Sequence, residues 1–176
     1  MPPLLIIFAN AAGIVAAFLA GYFTRATGKR FVSAVVGGAA GAIAGMFADM
    51  VGQKIGAWTY LNTTSGHAPG PVYMAVAFIY CAVVLVGWRV QRAWGFRALF
   101  LLLGISAFAD VINDWIGSKL FTVQQMNPPF LRWFIADLVV WSIVGGGAYL
   151  VMTLVAGPAK RDPLRSLGSL TAPQAA

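Results

Sequence analysis

Long apolar runs broken by short polar clusters set the pattern of this chain. A membrane-crossing helix needs about 20 mainly apolar residues, and five segments meet that length, at about 3–23, 31–58, 71–90, 98–121 and 129–156. The pattern predicts an all-α fold, a polytopic membrane helical bundle of about five transmembrane helices. The remaining stretch, 157–176, carries Pro, Ser and Ala with Lys160, Arg161 and Arg165, and reads as a flexible cytoplasmic tail.

Charge orients the spans, because cytoplasmic loops carry the excess of Lys and Arg. Arg25, Lys29 and Arg30 follow the first span, Arg89, Arg92 and Arg97 surround the end of the third, and Lys160, Arg161 and Arg165 follow the fifth. Nine of the twelve basic residues therefore share one side, which predicts an outside N-terminus, an inside C-terminus and a multi-pass protein of the bacterial inner-membrane type. The opposite loops, about 59–70 and 122–128, hold no Lys or Arg, and Trp58, Tyr60 and Tyr73 sit where interfacial anchors are expected.

Composition agrees: 60% of the residues are hydrophobic and 10% charged, against about 25% charged in a soluble domain. The net charge of +7 is accounted for by topology, so nucleic acid is not an expected partner. Met1-Pro2-Pro3 carries no basic n-region, which argues against a cleaved signal peptide. Cys81 is the single cysteine and has no internal disulfide partner. His67 is the single histidine, so a bis-histidine haem or a multi-His zinc site is not available and no cofactor or metal is expected. His67 itself reads as a solvated loop residue more readily than as a base.

Spans two and four repeat one another. Phe47-Ala48-Asp49 with Ile55-Gly56 matches Phe108-Ala109-Asp110 with Ile116-Gly117 at identical spacing, and each continues through a polar loop to a proline that opens the next span, Pro71 or Pro129. Both hairpins run in the same direction across the membrane, so the repeat is parallel.

The chain has no glutamate, and four of its five acids, Asp49, Asp110, Asp114 and Asp137, fall inside spans. An ionisable group there is costly and normally faces the bundle interior. Counting helix rise from the loops places all four within about 15 Å of the outer boundary. Gly37, Gly41, Gly45 and Asp49 share a stripe, a close-packing seam aimed at a neighbouring helix. Ser106, Asp110, Asn113, Asp114 and Gly117 make one polar face of the fourth span, and Trp133, Asp137 and Trp141 line up beside Arg132 in the fifth. Asp110 and Asp114, one turn apart, can share a proton because close like charges disfavour joint ionisation. With Asn113 they can also take a divalent cation, a reading disfavoured because prenyl diphosphates are cytosolic and these acids face outward. The competing structural reading pairs the acids with Lys54, Lys119 and Arg132.

Asp49 followed by Gly56-Ala57-Trp58-Thr59-Tyr60, a polar loop and Pro71 resembles the repeated hairpin of the small membrane lycopene cyclase domain of the bacterial heterodimeric type. Residues 110–129 match it more loosely, with Gly117-Ser118-Lys119 lacking the tryptophan. That family's acidic pair after the proline has no counterpart in Val72-Tyr73-Met74. A protonation-initiated cyclisation would therefore use Asp49, Asp110, Asp114 or Asp137. The run Gly37 to Gly45 ending in Asp49 is also similar to a helix of vitamin-uptake substrate-binding membrane subunits, whose Ala-rich first helix is suggested by Ala9, Ala12, Ala16 and Ala20.

Together these features lead to the expectation of a membrane enzyme or enzyme-like subunit acting on a hydrophobic isoprenoid or polyene lipid that enters between helices. Asp110 and Asp114 are the expected acid/base pair and Asp49 and Asp137 the supporting carboxylates. Trp133, Trp141, Trp115, Trp58, Asn113 and Arg132 are the candidates for contacting the substrate. A solute-binding or transport protein using the same aspartates is the first alternative, and a structural subunit of a membrane complex the second. The Gly-rich second span and Gly145-Gly146-Gly147 leave room for homo- or hetero-oligomers.

Overall fold

The computed structural model describes residues 3–61, 65–120 and 124–164. Its elements run α1 (Pro3–Phe23), α2 (Gly28–Lys54), β1 (Trp58–Tyr60), α3 (Gly70–Trp94), α4 (Phe96–Leu120), β2 (Gln124–Met126) and α5 (Phe130–Ala156), followed by a 3-10 turn at Ala159–Arg161. All five helices are long and apolar enough to cross a membrane. The protein is an all-α, multi-pass integral membrane protein.

Local chemistry sets the helix limits. Thr27 caps α2, accepting from the Arg30 N–H, so this helix starts at Gly28, three residues before the expected span. It ends at Lys54, four residues early, because Gly56 takes φ +72° and turns the chain into β1. At the other extreme α3 runs four residues past its expected end, through Arg92, and is joined to α4 by Gly95 alone, at φ +83°.

At the centre α3 packs on α5, and α2 and α4 each lie against both of them, while α1 packs on α3. The glycine seam of α2 makes this closeness possible. A Cβ on Gly38 would sit 2.1 Å from the Ala77 carbonyl of α3, and one on Gly37 would sit 2.4 Å from the Ala148 carbonyl of α5. The seam of Gly37, Gly41 and Gly45 is thus used within the chain, against α5, whereas Gly146 and Gly147 meet nothing within 4 Å.

The two ends of the bundle are closed differently. At the end rich in Lys and Arg, the fully buried Arg30 pairs with Asp162 at 2.7 Å, donates to the Gly157 carbonyl at 2.8 Å and lies 5.4 Å from the Trp88 ring. Arg92 donates to the Ala159 and Asp162 carbonyls. The start of the expected flexible tail is tied to the bundle through Gly157, Ala159 and Asp162, because a buried guanidinium needs a carboxylate and carbonyls; residues 165–176 lie outside the described ones. At the other end, the two loops pair as an antiparallel ribbon with Trp58 opposite Met126 and Tyr60 opposite Gln124. Trp58 and Tyr60 are buried beneath it, not anchored in the lipid interface as expected. Alternation along a strand turns both to the same inner face, where they join Ala57, Ala68, Val111 and Trp133 in a core.

Candidate functional site

Just below that ribbon, α2, α4 and α5 present the four intramembrane aspartates. Asp49 lies five residues before the end of α2 and Asp137 seven residues after the start of α5, so helix rise sets them about 7 and 10 Å from the helix ends. Asp110 and Asp114 follow one another by one turn on α4. Asp114 and Asp137 each fall within electrostatic range of the other three acids.

Each acid is met by aromatic donors. Tyr80 of α3 donates its hydroxyl to Asp110 at 2.7 Å, and Trp141 of α5 donates its indole N–H to Asp114 at 2.9 Å. Tyr73 of α3 donates to Asp49 and in turn accepts the Ala68 N–H at 3.1 Å. Tyr60 approaches Asp49 from β1, and burial, reinforced by the nearby Asp49 charge, pushes its phenol far up, so it stays a donor. The Asp137 carboxyl is within hydrogen-bonding reach of Asp114 and Trp141, yet its Oδ2 is buried without a partner. Two carboxyl groups can hydrogen-bond only through a proton.

Basic residues do not neutralise this cluster. Lys54, Lys119 and Arg132 are exposed, and among the described residues the one ion pair within 4 Å is Arg30 with Asp162 at the opposite end. Nor do the described His, Cys and Asp residues form a group of three suited to a metal ion.

The structure thus brings together Asp49, Asp110, Asp114, Asp137 and Trp141, with buried Trp133 in the adjoining aromatic core. It separates other candidates from them. Asn113 and Trp115 lie on the exposed side of α4, because helical rotation carries the positions flanking Asp114 away from its face, and Arg132 is exposed at the ribbon end. Trp58 is packed against α2 at Gly52, where a Cβ would sit 1.9 Å from its ring. It shares a core with Tyr60, against which Tyr73 and Trp141 pack, and so supports the acids' donors without itself bonding an acid.

Tyr60, Tyr73 and Tyr80 are the residues that sequence reasoning missed. A signal was present: Tyr73 and Tyr80 are seven apart, two turns along one face of α3, which points an amphipathic pair of phenols into the bundle. Two hollows, about 500 Å³ beside Phe18, Tyr22 and Phe31 and about 400 Å³ beside Thr27, Lys29 and Asp162, lie at the basic end, away from the acids. No family model, curated protein or solved structure matches this chain.

Proposed function

We propose that this protein is a membrane acid/base enzyme, or enzyme-like subunit, that isomerises or cyclises a hydrophobic isoprenoid or polyene lipid. The observation that carries this reading is the gathering of four carboxyl groups from three helices within electrostatic range, with tyrosine and tryptophan donors and no lysine or arginine paired to them among the described residues. Such a group of acids holds a proton in common, and the flat rings around it suit a carbocation or polyene better than a hydrated solute. Tyr80 and Trp141 lie stacked, with centroids 5.8 Å apart and planes 3° from parallel.

In this reading the Asp110 and Asp114 pair gives a proton to one carbon of a C=C bond, leaving a carbocation at the other. A neighbouring double bond attacks it, or it rearranges, and a different C–H proton returns to a carboxylate of the cluster. No oxidant or reductant is consumed. The lipid enters beside α4, whose buried residues are Leu99, Ala107 and Val111 alone among those described. The charge pattern of the loops orients the acids toward the outer face of a bacterial inner membrane.

The test is deuterium incorporation. Purified protein in lipid nanodiscs, incubated in D2O with an acyclic C40 polyene, should yield an isomeric product carrying carbon-bound deuterium, and Asp110→Asn should abolish it while helicity and melting are kept. Product formation unchanged in Asp110→Asn would reject the assignment. Recovery of unaltered polyene from the wild type would favour binding without chemistry.

A further inference from the structure

We infer that His67 is the proton-exchange residue of the acid cluster, loading and unloading it from the ribbon end through Tyr73 and Asp49. The inference rests on the acid/base reading above and adds the route by which its proton is replaced.

The loop carrying His67 is folded back over the end of α2. Gly66 and Ala68 are buried while His67 between them is half-buried, so the imidazole stands at the boundary between water and the interior. Its Nδ1 lies 2.7 Å from the Ala68 carbonyl. A carbonyl only accepts, which assigns the Nδ1 hydrogen and leaves Nε2 as the exchanging nitrogen. The ring meets Tyr73 edge to face at 6.1 Å. Tyr73 donates to Asp49, and His67 is itself within electrostatic reach of Asp49. Asp49 in turn lies within electrostatic range of Asp114 and Asp137.

Other routes are poorer. The groups facing Asp49 are Tyr60 from β1, Tyr73 from α3 and His67 from the loop. Of these, Tyr73 is the one that both bonds Asp49 and meets the His67 ring. Toward the basic end, the bundle below the acids is filled by Val84, Leu85, Trp88, Val144 and Met152, all fully buried. Transfer moves the Nε2 proton to the Tyr73 hydroxyl as the hydroxyl's own proton passes to the Asp49 carboxylate, the Nδ1 hydrogen staying hydrogen-bonded to the Ala68 carbonyl. The net change is one proton from imidazolium to carboxylate, and the imidazole is recharged from water.

Infrared spectroscopy reads this directly, without substrate. Full-length protein in nanodiscs is transferred from H2O to D2O and the protonated-carboxyl C=O band is followed as it shifts. His67→Gln, which keeps a donor to the Ala68 carbonyl, should slow the shift by about 100-fold, the low end of what a positioned proton-transfer group contributes. Tyr73→Phe should slow it similarly. Free imidazole should restore the rate of His67→Ala in proportion to its concentration, which a merely structural role would not allow. An unchanged rate in His67→Gln, or slowing that imidazole does not relieve, overturns the inference while leaving the acid/base reading standing. Absence of any protonated-carboxyl band in the wild type overturns that reading as well.

Discussion

Trp141 grips Asp114 at 2.9 Å with the same indole that lies parallel to Tyr80, the residue that holds Asp110. Two acids one turn apart on α4 are thus held by donors from two other helices, and those donors are stacked on each other. The arrangement fixes the rotation of α4 against α3 and α5.

Trp141→Phe keeps an aromatic ring against Tyr80 and removes only the N–H. The expected loss is about 1–3 kcal/mol, the cost of stranding a buried acceptor, read from reversible unfolding in mixed micelles. Tyr80→Phe should cost a similar amount through Asp110. A change below about 0.5 kcal/mol, the range of an ordinary surface substitution, would show that the bond does not position the acid.

Gly52 and Trp58 form a second exacting contact, because a methyl at Gly52 would overlap the indole. Gly52→Ala should destabilise the protein by about 1–3 kcal/mol through overpacking. Combined with Trp58→Phe, the penalty should be less than the sum of the two single changes, since the smaller ring vacates the space. Strict additivity in that double-mutant cycle would contradict the contact.

Asp162→Asn at the basic end leaves the guanidinium of Arg30 buried without its carboxylate. Breaking a buried pair by removing one partner typically costs about 3–5 kcal/mol. Some of that is expected to be offset here by the Gly157 carbonyl and the Trp88 face. Thermal melting should fall, and protease accessibility of segment 157–164 should rise; unaltered accessibility would mean that the pair does not hold the segment down.

Tyr60 makes stability fall in alkali. Its phenol is raised in the folded protein by burial and then by Asp49, whereas an unfolded tyrosine ionises near pH 10. The folded state therefore binds the proton more tightly. The stability that this confers is complete below about pH 10 and is lost as pH rises above it, because unfolding releases the proton. Tyr60→Phe should flatten the decline of melting temperature between about pH 10 and 11, and an identical slope in the variant would refute the effect.

Much of the fold was legible because membrane spans announce themselves by length and apolarity, although the ends set by Thr27, Gly56 and Gly95 fall three or four residues from those expected. The placement of Asp49 on a seam facing another helix followed from the four-residue spacing of Gly37, Gly41 and Gly45. The ribbon was not legible: Trp58-Thr59-Tyr60 and Gln124-Gln125-Met126 are each three residues long, too short for alternation to be read, and they pair across 63 intervening residues of chain. The contact between the start of the tail and the bundle was hidden for a related reason: nothing in local sequence reveals that Arg30, 132 positions from Asp162, needs its carboxylate. Asn113 and Trp115 were drawn into the site by chemical type, although the rotation of α4 that serves Asp110 and Asp114 sends them outward.

The ribbon has a mechanical consequence. It fastens the end of α2 to the approach to α5, and segment 157–164 ties α2, α3 and α5 at the far end, so Asp49 and Asp137 ride on a braced frame. Asp110 and Asp114 ride on α4, a weakly buried helix that meets the ribbon through β2 but has no bond from segment 157–164 among those described. Any outward swing of α4 would divide the acids two and two, and the work of separating them would depend on how many carry charge. Repulsion among ionised carboxylates favours the open arrangement, and shared protons favour the closed one. Helix movement and proton occupancy would then be a single coordinate, with admission of a ligand and recharging of the acids occurring in alternation.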